Sequence, residues 1–580
     1  MGPLSPAAST GPVRRRNGRQ QASNAALTAA TASPIATQAE PVLSPRRLEK
    51  CLAVLGHVPP PQEGEALFAK HINPNDGWVR FAGKRLVHSL YATFGHYFSK
   101  NRKQEHLAEL AKIICRNTMR PLPEDETDAD RWLSSFSGLN LRWDSLGILF
   151  TYWGLGAVAS GGWRQPPEAA ASKSPDTIVV YRNCAELCIE LCRGVCSPNG
   201  LLVYLYYKNM IMESGISGDS SPSLWTLHGE TVALASCLGM HAASGDFPYK
   251  PTASSEAKRR TFAVIFNIDK VIASFSGRPP LIGRRYALSP LPLDLSDEAL
   301  LSDGETLARA VAALDDKGWN VDGKLYSTTI LRARATLARS KDEVMEIALG
   351  DPECNPRYDP VDALLDLKSR ELKIELQFPS FLVFTHDDVK NPGVDGSMLY
   401  TKALIHLEHL QTIFFIERLL VQRGHDSYED LLAVSYEMVS VTLIFWTHMD
   451  RLEGLHGDFE WLVMAFAAPA GGILCMELLK PAQQTTARGI SRSSIIQQLS
   501  LLVGFLGWVK PCAPNSDICN SCKTVIQHVL DQTLNGLPAS IEPTLDTLDF
   551  DLSSSNLNDY FNFGLLDTFD WLRSDIPPGH

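Results

Sequence analysis

The chain is predicted to be all-α, and three features carry that prediction. Segments such as Lys103 to Asn117, Tyr181 to Cys196, Thr328 to Ala348, Tyr400 to Arg423 and Tyr428 to Leu455 repeat apolar residues at three- and four-residue steps, the period of a helix with one buried face. Strand-like alternation of apolar and polar residues is scarce. The 580 residues are 44% hydrophobic and 21% charged, a composition that supports a sizeable core. A helical body of this size is expected to form two or more lobes or a superhelical stack, since single cores seldom grow so far.

Taken in order, residues 1–45 come first. They are rich in Ala, Ser, Thr, Pro and Gln and poor in aromatics, so they cannot bury enough surface to offset the entropy of ordering and are expected to be disordered. Arg14-Arg15-Arg16 with Arg19 is their one basic cluster, a weak nuclear-import signal. Residues 46–535 are the expected helical body, with loops at Gln165 to Asp176, Ser276 to Gly323, Gly350 to Pro360, His386 to Gly396 and Lys480 to Ser493. The longest apolar run, Leu462 to Met476, contains Pro469 and falls short of the roughly 20 residues a bilayer crossing needs. It reads as a core helix broken at Pro469-Ala470-Gly471-Gly472, and no segment qualifies as a membrane span. Residues 536–580 differ in kind and are treated below.

The net charge of −11 means that the molecule as a whole does not attract nucleic acid, so DNA contact requires a local basic surface or a partner. No secretory signal opens the chain, and the twelve cysteines are scattered. Free thiols in a reducing compartment are the expectation.

The most informative stretch runs from Leu224 to Asp294. Phe262, Ile265, Phe266 and Ala273 fall on one helical face, with Ser254 or Ser255 available as N-cap. Gly277-Arg278-Pro279-Pro280 stops the helix. Asp269 sits amid the apolar face, where a lone carboxylate is costly, so a cationic or hydrogen-bonding partner should reach it.

The spelling of this stretch resembles the central regulatory region of fungal zinc-cluster transcription factors. That family carries Leu-Gly-Leu-His, then Arg-Arg-x-Phe-Trp, an Asp-Arg pair, Gly-Arg-Pro and Leu-Pro. The matching residues are Leu238-Gly239-Met240-His241, Arg259-Arg260-Thr261-Phe262, Asp269-Lys270, Gly277-Arg278-Pro279 and Leu291-Pro292. Ala263 stands in place of the usual Trp and Lys270 in place of the usual Arg. Further similarity lies at Asn140 to Phe150, with Arg142 and Trp143, at His406 to Leu420 and at Asp458 to Leu479. The resemblance covers roughly residues 60–535, and it implies structural roles for the motif residues rather than catalytic ones. Members of the family normally bind DNA through an N-terminal module of six cysteines and two zinc ions. The first cysteines here, Cys51 and Cys115, lack the Cys-x2-Cys spacing and a basic run, so no zinc cluster is recognisable in the chain.

From Ile541 onward eight acids (Glu542, Asp546, Asp549, Asp551, Asp559, Asp567, Asp570 and Asp575) face one base, Arg573. Large hydrophobes lie between them, and such mixing is the composition of amphipathic activation segments that fold against a partner. Phe561, Phe563, Leu566, Phe569, Trp571 and Leu572 are the candidate contact residues, and Leu565 joins Leu566, Phe569 and Leu572 along one side of a helix. A helix docked on its own body is the competing reading; the family resemblance favours activation.

Other constellations carry less. Cys184, Cys188, Cys192 and Cys196 step by four along one helical stripe and read as core packing. Cys512, Cys519, Cys522 and His528 contain one Cys-x2-Cys pair, a weak metal signal. His228-Gly229-Glu230 lacks the second half of a zinc-deaminase signature. Asp387-Asp388 is followed by Asn391 and Pro392, and His406-Leu407-Glu408-His409 lacks metalloprotease spacing and reads as the polar side of a helix. No catalytic, cofactor or metal site is therefore expected. The expected protein is a nuclear fungal transcription regulator of RNA polymerase II genes in a metabolic or biosynthetic pathway. Its expected partners are co-regulators, DNA reached weakly or through a DNA-binding partner or homo-oligomer, and a small-molecule inducer, with no membrane. The alternative is a cytosolic all-α enzyme or ligand-binding protein.

Overall fold

The computed structural model describes residues 43–71, 80–99, 102–160, 174–243, 249–350, 359–452, 455, 459–480, 489–509 and 513–535. The expectations for the N-terminal segment up to residue 42, and all those for residues 536–580, lie outside the described residues. Among the described residues there is no strand, as the periodicity predicts.

The described residues open with α1 (Pro45–Gly56), α2 (Pro61–Lys70), α3 (Arg80–Phe94), α4 (Gln104–Met119), α5 (Ala129–Ser134), α6 (Trp143–Ser160), α7 (Ser174–Cys192) and α8 (Gly200–Ser217). Ser44, Asp128 and Asn199 start α1, α5 and α8 by accepting the N–H three residues on. The apolar helix α6 packs against α2, α7 and α8, and Phe150 and Trp153 are wholly buried there. Next come α9 (Pro222–Cys237), α10 (Ala253–Ser276), α11 (Asp297–Leu300), α12 (Gly304–Ala312) and α13 (Ser327–Leu349). α10 packs on α8, α9 and α13 and so joins the early helices to the late ones. The late group is α14 (Pro360–Glu371), α15 (Gly396–Gln422), α16 (Tyr428–Thr447), α17 (Phe459–Leu462), α18 (Ala468–Leu479), α19 (Arg492–Trp508) and α20 (Ser516–Asn535). One apolar cluster runs from Ala273 of α10 through α13, α15, α16 and α18 to Leu530 of α20. The described residues from Ser44 onward form one compact unit.

Several boundaries differ from the periodicity. α7 stops at Cys192, where Gly194 turns the chain at φ 75°; Cys184, Cys188 and Cys192 are buried, while Cys196 lies past the helix end and is half-buried. α16 stops at Thr447, because His448 leaves helical geometry at φ −125°, ψ 39°. Leu452 is buried beyond that turn and keeps the apolar spacing that mimics a longer helix. The expected loop of residues 276–323 contains α11 and α12, capped by Ser296 and Asp303. The cap of α10 is Thr252, and Ser255 reciprocates as its third-position partner.

Pro469 does not break its helix. A π-helical turn, Val463–Ala467, joins α17 to α18 without interruption. Proline cannot supply the N–H that the carbonyl four residues earlier receives in an α-helix. That carbonyl, Ala465 O, accepts instead from Gln411 Nε2 of α15 at 2.8 Å. α16 and the run Phe459–Leu479 are long and apolar enough to cross a membrane by length and composition, contrary to expectation. Their most apolar stretches are 61% and 89% buried inside the protein, so core packing accounts for their composition.

Gln411 also accepts from the buried Lys341 Nζ at 2.7 Å. Gln411→Ala strands a buried carbonyl and a buried ammonium together, and is expected to lower unfolding free energy by about 3 kcal/mol or more. His528→Ala, on the exposed side of α20, should cost under about 0.5 kcal/mol; chemical denaturation of both variants checks the contrast.

Candidate functional site

The motif residues meet along α10. Between α10 and α11 the chain runs as an irregular strap, residues 277–296, and buried irregular backbone needs partners for its N–H and C=O groups. Gly277 ends α10 in the left-handed conformation at φ 66°, which a glycine adopts without steric cost. The Arg278 guanidinium then lies 5.1 Å from the centre of the Trp225 ring of α9, and Pro279 is exposed at the bend.

Asp269 holds the first part of the strap. Its Oδ1 accepts from Leu281 N at 3.0 Å and its Oδ2 from Ile282 N at 3.1 Å. Lys270 Nζ lies 2.6 Å from Asp269 Oδ2 and 3.0 Å from Asp342 Oδ1 of α13, and it also donates to Ile282 O. His228 Nε2 of α9 is 2.8 Å from Asp269 Oδ1. The second oxygen of Asp342 accepts from Arg284 N at 2.7 Å. Asp269, Lys270 and His228 have no solvent exposure. Burial is the largest influence on the Asp269 carboxyl and pushes it up, but the hydrogen bond with His228 and the Lys270 charge prevail and hold it below the ordinary carboxylate range.

Arg260 holds the far end of the strap, nine residues earlier on α10, or about 14 Å along the axis, with Arg259 beside it. Arg260 donates to Asp297 Oδ1 at 2.7 Å and to Leu295 O at 3.1 Å. Arg259 stacks on the Tyr249 ring at 3.3 Å. Tyr249 Oη and Leu293 N both donate to Glu256, whose carboxyl burial pushes up. From α13, Arg332 donates to Pro292 O at 2.6 Å, Arg339 to Ala287 O at 3.3 Å, and Thr329 to Asp294 Oδ1 at 2.7 Å. Burial pushes the Asp294 carboxyl up as well.

Gly239 and His241 serve the same strap. Gly239, at φ 66°, closes α9 with its N–H on Ser236 O, while Met240 N reaches Ala235 O. The carbonyl of His241 then accepts from Leu288 N at 2.8 Å and Ser289 N at 2.9 Å. Arg142 and Trp143 lie elsewhere. Arg142 is buried with Asp144 at 3.1 Å and donates to Asn117 O and Arg120 O at the end of α4. Trp143 donates its indole N–H to Cys115 Sγ at 3.2 Å. The candidate residues Phe561, Phe563, Leu566, Phe569, Trp571 and Leu572 lie outside the described residues.

Glu256, Asp294, Arg332, Arg339 and Asp342 belong to the site and are absent from the sequence-level candidates, and His228 joins them although the sequence raised it only as half of an incomplete His-x-Glu signature. For those on α10 and α13 the only signal is spacing, since the cations and acids of these helices recur on inward positions; His228 on α9 and Asp294 in the strap carry no local signal of their partners. Glu230, two residues from His228, points outward and pairs with Arg193, so the His-x-Glu pair does not converge. Glu408 and His409 make no solvated face; both are buried, on Arg334 at 2.6 Å and Glu371 at 3.0 Å. Cys519 and Cys522 point into the core and His528 outward. Among the described residues no group of three or more His, Cys, Asp or Glu is placed to hold a metal ion. The cavity between Ser274, Lys341, Glu408, Gln411 and Trp461 holds about 10 Å3, room for roughly one water.

Residues 202–329, which contain α9, α10 and the strap, match the fungal specific transcription factor domain. Transcription factor FBD3 of Gibberella moniliformis is 29% identical over 126 residues, 22% of this chain and 16% of that protein. Its counterpart in Fusarium pseudograminearum is 29% identical over 128 residues, 20% of this chain and 16% of that protein. The Zn(2)-C6 fungal-type transcription factor pigI of Monascus ruber is 28% identical over 155 residues, 26% of this chain and 18% of that protein. The similarity thus spans less than a fifth of each relative's length. No solved structure matches the chain.

Asp269→Ala removes the partner of Lys270, His228 and two strap N–H groups, and is expected to cost about 3–5 kcal/mol. A carboxyl held below its unfolded value stabilises the fold above that value and loses this contribution as pH falls through the folded value. The stability gap between the unaltered chain and Asp269→Asn should therefore be full at pH 7 and close only below about pH 4. Denaturant titrations at a series of pH values check this.

Proposed function

We propose that this chain, which carries a fungal specific transcription factor domain, regulates RNA polymerase II transcription of a metabolic or biosynthetic gene set in a fungal nucleus. The match over residues 202–329 carries this reading, and the relatives named as transcription factors support it. In this reading the chain has three parts: an N-terminal segment of residues 1–45, a helical regulatory body of residues 46–535 and an acidic-aromatic activation tail of residues 536–580. The body has no catalytic role, because its buried charges serve one another and the backbone of the strap. A signal reaching the body shifts which surface it offers to the tail or to a co-regulator. DNA is reached indirectly or through a partner, since the net charge of −11 opposes direct binding.

Two experiments test this. Chromatin mapping with a tagged full chain should show promoter occupancy; absence from chromatin in every growth condition sinks the reading. Residues 541–580 fused to an unrelated DNA-binding domain should drive a reporter. Alanine at Phe561, Phe563, Leu566, Phe569, Trp571 and Leu572 together should remove most of that output while leaving the fusion's abundance unchanged.

A further inference from the structure

We propose that Cys51 and Cys115 are a redox modification site, a thiol pair that closes to a reversible disulfide under hydroperoxide and staples α1 to α4. The two Sγ atoms lie 4.0 Å apart in a hydrogen-bond contact, on helices that pack together. A disulfide needs about 2.05 Å, so closure moves each sulfur by about 1 Å. The pair is also asymmetric. Cys115 receives the Trp143 indole N–H at 3.2 Å, and the Arg47 charge acts on it as well. The hydrogen bond with Cys51 is the largest influence on Cys115; with Trp143 and Arg47 it draws the thiol below its ordinary range against the effect of burial. The same hydrogen bond, with burial, pushes Cys51 up. The Trp143 indole N–H and the Arg47 charge thus favour the thiolate on Cys115, and the Cys51 sulfur lies beside it in position to resolve.

The chemistry balances with a hydroperoxide as the named oxidant. The Cys115 thiolate attacks one peroxide oxygen, the O–O bond breaks, and Cys115 becomes a sulfenic acid with release of hydroxide. Cys51 sulfur then attacks the Cys115 sulfur, and the sulfenic oxygen leaves as water with the Cys51 proton. In total two thiols and one hydrogen peroxide give one disulfide and two waters. Both thiols are buried, so the oxidant enters when α1 opens locally. That opening has to release the buried Cys51, Val54 and Leu55 and the Arg47 hydrogen bond to Leu191 O, but the outer ties of α1 are light. Lys50–Glu190 is an exposed pair with side chains 33% and 40% accessible, and Arg102 reaches the carbonyls of Leu55 and Gly56 near the surface. Such contacts hold a helix weakly against transient opening.

The test uses the purified, reduced full chain. It is exposed to a few equivalents of hydrogen peroxide, alkylated after denaturation, digested and read by mass spectrometry. The expected result is a Cys51–Cys115 cross-linked peptide, with loss of two alkylatable thiols per chain and full recovery on dithiothreitol. In Cys51→Ser the expected product is a Cys115 sulfenic acid trapped by dimedone. Cys237, which is exposed, is the internal comparator. Oxidation of Cys237 while Cys51 and Cys115 both stay alkylatable overturns the proposal, and so does a disulfide from either to any other cysteine. The reading on the unaltered chain stands whether or not the serine variant folds.

Discussion

An irregular strap of about twenty residues, 277–296, lies against α10 and α13, and the backbone polar groups on its inward side must be matched inside the protein. Regular structure would satisfy such groups internally, but this segment has none. The His241 carbonyl takes two N–H groups, and much of the rest falls to charged side chains: Asp269 takes two N–H groups, Lys270 and Arg260 each give to a carbonyl, and Arg332 and Arg339 do so from α13. Each charge is affordable in the interior only because another charge or a backbone dipole answers it. This explains why α10 is buried nearly all round yet carries Glu256, Arg259, Arg260, Asp269 and Lys270 inward. The helix is the anchor plate of the strap.

The same polar line continues into the late helices. Arg334 of α13 meets Glu408 of α15 at 2.6 Å, and two turns further along α13 but one along α15 Lys341 meets Gln411. Gln411 in turn holds Ala465 O, the carbonyl that Pro469 leaves without its usual donor. A chain of directed contacts therefore leads from Asp269 through Lys270 and Asp342 to α13, and from α13 to the π-helical turn. Because such contacts are made or broken rather than stretched, the segments they join hold one relative arrangement or change it together. Burial pushes the Lys341 ammonium down from its ordinary range, which marks how closely its environment is drawn.

Much of this was legible in the sequence, for identifiable reasons. The all-helical class followed from period, and the need of Asp269 for a partner followed from the cost of a buried charge. Gly277 was readable as the end of its helix and takes left-handed geometry; Gly239, legible only as a motif residue, does the same. What periodicity could not supply was the identity of partners distant in sequence. His228 is 41 residues from Asp269, and Arg334 is 74 from Glu408; no local pattern encodes such pairs. His406 to His409 looked like a solvated face because charged residues normally are one, and the buried pairing of Glu408 inverts that rule. Pro469 looked like a break because only a side chain from another helix, Gln411, compensates it. Thr252 lost to Ser254 and Ser255 as the apparent cap for a simpler reason: the capping box shares the work between residues 252 and 255, and composition alone does not rank them.

The substitution of Lys270 for the family's usual arginine also becomes intelligible at this site. An arginine presents a planar fork suited to two acceptors side by side. Here the acceptors, Asp269 Oδ2, Asp342 Oδ1 and Ile282 O, converge from three elements on one point, and the Phe266 ring lies 4.3 Å from the nitrogen. A compact ammonium with three donors answers three converging acceptors more closely than a guanidinium does. The strap in this chain is thus fastened by a point charge where an arginine would fasten it by a fork. The fastening remains buried because every donor on that nitrogen has an acceptor.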